Sequence, residues 1–306
     1  MRAFLLGHPD RIQGNGWKGD LYDGAIELGW DVRNFAANEM STEDVVRQAK
    51  ECDIFIWARR HRQDPAGDAW RMLREIEDAG VPTVGIHMDL YWGIPVREPM
   101  VNTRENPWWS CRHVFTADGG HETQFASAGA NHMWMPPAMG PRYFGRAWSQ
   151  RMARQDILFV GSNSKYLHGG HRNDLIRWAK SHYGPRFMHR GVARKFYGAE
   201  LSALYDSTRI ILGDSAPADR YWSDRIPTAL GRGAILAHPN TTGLEEQGFD
   251  NGNMILFDRF QFGQIADRVE SMSDKDLRRM SDAALTVVAE RHMWQHRLQQ
   301  IASTVL

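Results

Sequence analysis

The sequence predicts an α/β protein made of two Rossmann-like halves that face each other across a cleft. Three observations carry this expectation. Short apolar, β-branched runs alternate with amphipathic stretches along the 306 residues, the pattern of strand–helix units around parallel sheets. The first strand of each half runs into a glycine-containing loop, from Gly7 in one and through Gly161-Ser162-Asn163-Ser164-Lys165 in the other. The charge is divided: residues 1–150 hold 16 Lys+Arg against 20 Asp+Glu, and residues 151–306 hold 21 against 17. A formally neutral chain thus has an acidic half and a basic half, and the basic half suits an anionic ligand.

Composition narrows the class. The length is enough for two ordinary cores, and 42% hydrophobic residues is the content of a globular chain. No apolar run reaches the roughly 18–20 residues of a membrane span, so no membrane partner is expected. The opening MRAFLLGHPD reads as a first strand rather than a signal peptide. Cys52 and Cys111 allow at most one disulfide and lack metal-ligand spacing, which fits a reducing, cytoplasmic setting. Zero net charge gives no bulk attraction to nucleic acid. The expected division is residues 1–150, residues 151–291, and a C-terminal helix over 292–306 that crosses back to the first half. In that segment Trp294, Leu298, Ile301 and Val305 recur at helical spacing and need a surface to cover.

In the first half, strands are expected at 2–6, 32–35, 53–58, 82–87, 112–116 and 132–135, with helices at 21–28, 41–50, 68–79 and 122–128. Polar residues follow several of these strands, at the edge where open α/β sheets bind ligands. Gly14, Asn15 and Gly16 open a GxGxxG that ends at Gly19, a loop that suits phosphate or substrate. As a dinucleotide fingerprint it is weak, because Gly7 to Gln13 separate it from the strand. Arg59, Arg60 and Arg62 form a basic cluster after the third strand, suited to phosphates or to a solvated loop. Asp89 follows the fourth strand, next to Tyr91 and Trp92, and is the first candidate for a general base. Asp118 and His121 follow the fifth strand and are the next candidates, as a general base or a sugar-hydroxyl ligand; Asp89 and His121 each also suit a helix cap. Residues 94–109 have no clear period and read as a surface loop, and residues 138–155 as a linker.

The second half is organised around Tyr205 to Asn240. A short strand over 209–212 leads into a loop with Asp214, and a helix starting at Ser223 stops at Gly233 before the next strand, 234–237. Ser223 and Asp224 are N-cap candidates and Arg225 sits in the first turn. A cationic side chain beside free helix N–H groups suits a diphosphate.

The run Ser223-x-Arg225-x-x-x-Ala229-Leu230-x-x-Gly233-x-x-Leu236, the acidic Leu244-Glu245-Glu246, MILFD and the closing HMWQHRLQQI resemble the C-terminal half of CgeB-like (spore protein YkvP/CgeB type) glycosyltransferases. The resemblance covers residues 156–303 well and the first half loosely. It implies a GT-B fold and a hexosyltransferase that uses a nucleoside-diphosphate sugar, with UDP-sugars such as UDP-glucose favoured. It implies a donor site from Gly161, Ser162, Lys165, Arg172, Asp214, Ser223, Arg225 and Thr228. In that family the Thr228 position usually carries a Glu that holds the donor ribose.

The reaction expected is glycosyl transfer to an acceptor hydroxyl, inverting or retaining. The chain's one DxD, Asp274-Lys275-Asp276, opens a surface helix and reads as a cap, so no cofactor and no obligatory metal is expected. Compact GT-B enzymes that modify hydroxymethylated pyrimidines make DNA one acceptor, with Tyr91, Trp92, Trp108 and Trp109 offering a stacking surface for a flipped base. A cell-surface glycan or small metabolite is equally open. Two other classes remain: a non-catalytic nucleotide-sugar-binding module, because of Thr228, and a dinucleotide oxidoreductase, because of the GxGxxG.

Overall fold

The computed structural model describes residues 1–7, 16–59, 64–145, 155–162, 170–191 and 196–306. They form two compact units: residues 1–136 together with 294–306, and residues 137–293.

The first unit contains β1 (Arg2–Gly7), α1 (Trp17–Glu27), β2 (Asp31–Ala36), α2 (Thr42–Ala49), β3 (Ile54–Ala58), α3 (Ala69–Asp78) and β4 (Thr83–His87). It continues with β5 (His113–Thr116), α4 (Glu122–Ser127) and β6 (His132–Trp134). The six strands are parallel in the order β2-β1-β3-β4-β5-β6. IFIWA in β3 and TVGIH in β4 are buried at every position, as expected of central parallel strands covered on both faces. Ser41 and Asp68 cap α2 and α3, accepting the Asp44 and Arg71 amides at 3.1 and 2.9 Å.

Two expectations change here. The first helix starts four residues early, at Trp17, because Trp17 stacks on Trp294 at 5.9 Å and so gains a tertiary partner. Residues 94–109 are also more than a surface loop. Their last turn drives Trp108 and Trp109 into the core, and Trp108 Nε1 donates to the Trp57 carbonyl at 2.9 Å. Gly85 makes room: a Cβ there would lie 3.0 Å from the Trp108 ring.

The last helix, numbered α10 by its place in the chain (Trp294–Val305), belongs to this unit. Trp294, Leu298 and Ile301 are fully buried, and Val305 is half-buried. Gly24 in α1 accepts the close approach, since a Cβ there would come 2.8 Å from that of Trp294.

The second unit contains β7 (Gln155–Val160), α5 (His171–Tyr183), β8 (Phe187–Arg190), α6 (Gly198–Asp206), β9 (Thr208–Leu212), α7 (Arg225–Leu230) and β10 (Leu236–Pro239). It ends with β11 (Ile255–Phe257), α8 (Gly263–Ser271) and α9 (Asp274–Arg291). Its sheet is also parallel, ordered β11-β10-β9-β7-β8. The strand order therefore reverses between β7 and β9, the position at which doubly wound sheets open a binding crevice. Residues 138–145 do not run free: the Met139 amide donates to the His292 carbonyl at 2.7 Å, and the Gly145 amide to that of Gly231 at 3.0 Å.

Asp274-Lys275-Asp276 is a helix start. Ser273 caps α9 and Asp276 completes a capping box. Both cysteines are free and buried, and burial pushes the Cys111 thiol up. Among the described residues no helix is long and apolar enough to cross a membrane.

Candidate functional site

The strand-order reversal in the second unit is bridged by two arginines. Arg225 is the first residue of α7, and its guanidinium donates to the Val160 carbonyl at the end of β7 (2.8 Å) and to the Asp214 carbonyl just beyond β9 (3.0 Å). Arg172, in the first turn of α5, makes a second bridge, donating to the Ser162 and Asp214 carbonyls, each at 2.9 Å. Both guanidiniums lie within cation–π range of the Phe159 ring, at 5.1 and 5.5 Å. Gly161 permits this packing. It has φ +141, and a Cβ there would lie 2.7 Å from Arg225 Nη2.

A fully buried carboxylate organises the cations. Asp214 accepts from His171 Nδ1 at 2.8 Å and Arg172 Nε at 3.1 Å, with Arg259 Nη1 at 3.4 Å. Burial pushes its carboxyl up, but the His171 hydrogen bond and the Arg172 charge outweigh burial and hold it low. Burial and the neighbouring Arg225 bring Arg172 down to about 10, against the pull of Asp214. Three arginines against one carboxylate leave the cluster net positive, which is the electrostatic requirement of an anion site.

The sequence pointed to Gly161, Ser162, Arg172, Asp214 and Arg225, and all five meet here. Lys165 lies outside the described residues. Ser223 does not begin the helix. Its hydroxyl accepts the Arg225 amide at 3.3 Å, and α7 starts two residues later. Thr228 gives its hydroxyl to the Asp224 carbonyl one turn back. His171, Ser215, His238 and Arg259 were missed. The available signals were His171 adjoining Arg172, and Arg259 following the last strand.

A second polar cluster lies at the ends of β4 and β5 in the first unit. Asp118 is fully buried and accepts the Tyr91 and Trp92 amides, each at 2.8 Å, and His121 Nδ1 at 2.7 Å. Burial pushes this carboxyl up, against the lowering from those three donors. Donation through Nδ1 leaves Nε2 as the acceptor nitrogen of a partly exposed His121 ring. Both Asp118 oxygens are buried and taken up by these donors, so the His121 ring is the more exposed group of the pair. Asp89 is closer to water, but its carboxylate is engaged by Arg97 at 3.4 Å, with His87 at 3.7 Å.

The remaining candidates in this unit are mostly structural. Tyr91 is buried, with its hydroxyl 2.5 Å from His87 Nδ1 and its ring against Trp109. Trp92 is half-buried and packs on Phe125. Arg59 is neutralised by Asp64 at 2.7 Å and donates to Asn106. Gly16 is the N-cap of α1. Gly14, Asn15, Arg60 and Arg62 lie outside the described residues.

Two parallel doubly wound sheets, one in each unit, are the architecture of the GT-B fold. Known structures share this fold along the whole chain. Anabaena HepE, solved with UDP and glucose, superposes with a TM-score of 0.64 at 14% identity, covering 99% of each chain. Sucrose-phosphate synthase of Thermosynechococcus elongatus gives 0.62 at 10% identity over 99% of this chain and 98% of its own. The UDP-forming α,α-trehalose-phosphate synthase of Burkholderia vietnamiensis gives 0.59 at 9% identity over 100% of both. The chain belongs to the glycosyl transferase-like family, whose model matches residues 142–303. No curated protein matches it by sequence.

Proposed function

We propose that this enzyme transfers a sugar from a uridine-diphosphate sugar to an acceptor hydroxyl. The observation that carries the reading is the double arginine bridge at the ends of β7 and β9, net positive around Asp214. A glycosyl donor's diphosphate gains negative charge as the glycosidic bond breaks. Guanidiniums already fixed by main-chain carbonyls stabilise that charge without reorganising. In this reading they do so without an obligatory metal. Uridine as the nucleotide is supported by HepE, which was solved with UDP-glucose. It is supported again by the UDP-forming synthase.

For an inverting transfer the base we propose is His121, oriented by Asp118, rather than Asp89, whose carboxylate Arg97 engages. A retaining transfer needs no such base. The acceptor we favour is a glycan or small-metabolite hydroxyl. A DNA base would have to stack on an exposed aromatic surface, and Tyr91, Trp108 and Trp109 are committed to the core.

The test is UDP release from UDP-glucose in the presence of an acceptor pool, with the products identified by mass spectrometry. Arg225→Ala is expected to cut turnover by about 10²-fold, because one leaving-group contact is worth roughly 3 kcal/mol. A folded Arg225→Ala variant with normal turnover would remove that residue from the mechanism. UDP binding with no transfer to any acceptor would instead favour the binding-module class.

A further inference from the structure

We propose that His238 is a positioning residue that sets Arg225 through Ser215 and Ser223. The inference rests on reading Arg225 as the diphosphate contact.

His238 is fully buried at the third position of β10, and the polarity of its two ring bonds is fixed. Nδ1 lies 2.8 Å from the Pro239 carbonyl, which can only accept, so Nδ1 carries the proton. Nε2 is then a lone-pair acceptor, and it takes the Ser215 hydroxyl at 2.9 Å. With its proton committed, Ser215 Oγ accepts the Ser223 amide at 2.9 Å. Ser223 Oγ in turn accepts the Arg225 amide at 3.3 Å. The tautomer directs the Ser215 hydroxyl and the two amides can only donate, so the chain has one polarity, every donor pointing from α7 toward β10. Burial, partly offset by Asp214, lowers the His238 pKa to about 3, which keeps the ring in this neutral form across the working pH range.

The consequence is mechanical. Gly213 to Asp224 is a long excursion off β9, and Arg220 within it takes the left-handed φ of +49. The excursion must return with its end in register, because α7 starts with the arginine that bridges β7 and β9. The Ser215–Ser223 bond closes it across its base. His238 holds the Ser215 hydroxyl so that its lone pair faces the Ser223 amide. Gly213 leaves the ring its place, since a Cβ there would come 2.9 Å from His238 Cδ2. A misplaced Arg225 would lose its hold on the diphosphate before the fold is lost.

The experiment is UDP binding by calorimetry on the full chain, with circular dichroism to confirm folding. The variants are Ser215→Ala, His238→Ala, His238→Gln, Arg225→Ala and the double variant His238→Ala with Arg225→Ala. Ser215→Ala and His238→Ala are expected to weaken UDP by about tenfold, the scale of one lost buried hydrogen bond. His238→Gln restores an acceptor for Ser215 and is expected within about threefold of wild type. The double variant is expected to bind no worse than Arg225→Ala, since the histidine acts through the arginine. Normal binding by His238→Ala beside an impaired Arg225→Ala overturns the proposal. Equal losses in the Gln and Ala variants, or additive losses in the double variant, overturn it as well. Normal binding by Arg225→Ala fails the underlying reading instead.

Discussion

The space where Gly161 would carry a side chain is filled by the Arg225 guanidinium, whose Nη2 would lie 2.7 Å from a Cβ built there. The first glycine of the second unit's opening loop is thus coupled to the first residue of α7. Gly161→Ala must strain a backbone at φ +141 and push the guanidinium off the Val160 carbonyl. We expect UDP affinity to fall by about tenfold, with a stability loss of about 1–2 kcal/mol. Calorimetry and a denaturant titration check the two numbers, and unchanged UDP affinity would separate the glycine from the arginine's placement.

The His121–Asp118 pair predicts an order of effects in the first unit. His121→Ala is expected to lower kcat by about 10²-fold or more, the usual scale for loss of a general base. Asp118→Asn loses the charge behind the imidazole and is expected to cost less, while Asp89→Asn leaves kcat within a few-fold. UDP affinity is expected to stay constant in all three, because the diphosphate contacts proposed above lie in the second unit. If Asp89→Asn is the most damaging of the set, the base is misassigned.

Two buried histidines predict acid lability. His238 is lowered to about 3 and His132 to about 4, each mainly by burial. Well above pH 7 both are neutral whether the chain is folded or not, and they contribute little to the pH dependence there. As pH falls through about 6.5 the unfolded chain binds protons that the folded chain refuses, so stability is lost down to the folded-state values. The loss builds between pH 6.5 and about 3 and is larger for His238, the more strongly lowered of the two. Denaturant midpoints at pH 7 and pH 5 measure it, and His238→Gln should flatten the slope.

The last helix predicts a large effect from its first residue. Trp294 is fully buried, stacked on Trp17 and seated against Gly24. Trp294→Ala should destabilise the chain by about 3–5 kcal/mol. Gly24→Ala should cost about 1–3 kcal/mol by overpacking the same contact. Combined, they should be less than additive, because the smaller residue makes room for the added methyl. Thermal melts of the three variants decide it, and full additivity would mean the two positions are independent.

The amino-acid sequence by itself determined the alternation of strand and helix and the existence of two sheets. Short apolar runs such as Ile54–Ala58 and Ile210–Leu212, bounded by turn residues, read as buried strands, a local property. It also marked Gly161 and Arg225, because a glycine after a strand and a cation in a helix's first turn are local signals. The tertiary structure alone decided which polar residues share a site. Ser215 and His238 are separated by the crossover through α7 and meet only because β9 and β10 are neighbours, so spacing could not reveal the bond between them. It likewise decided that Trp108, Trp109 and Tyr91 are core. An aromatic beside a cleft loop and an aromatic beneath it look alike in sequence, and only the packing around Gly85 and Trp57 tells them apart. Burial and hydrogen-bond direction belong to the folded neighbourhood of a residue and are not encoded at its own position.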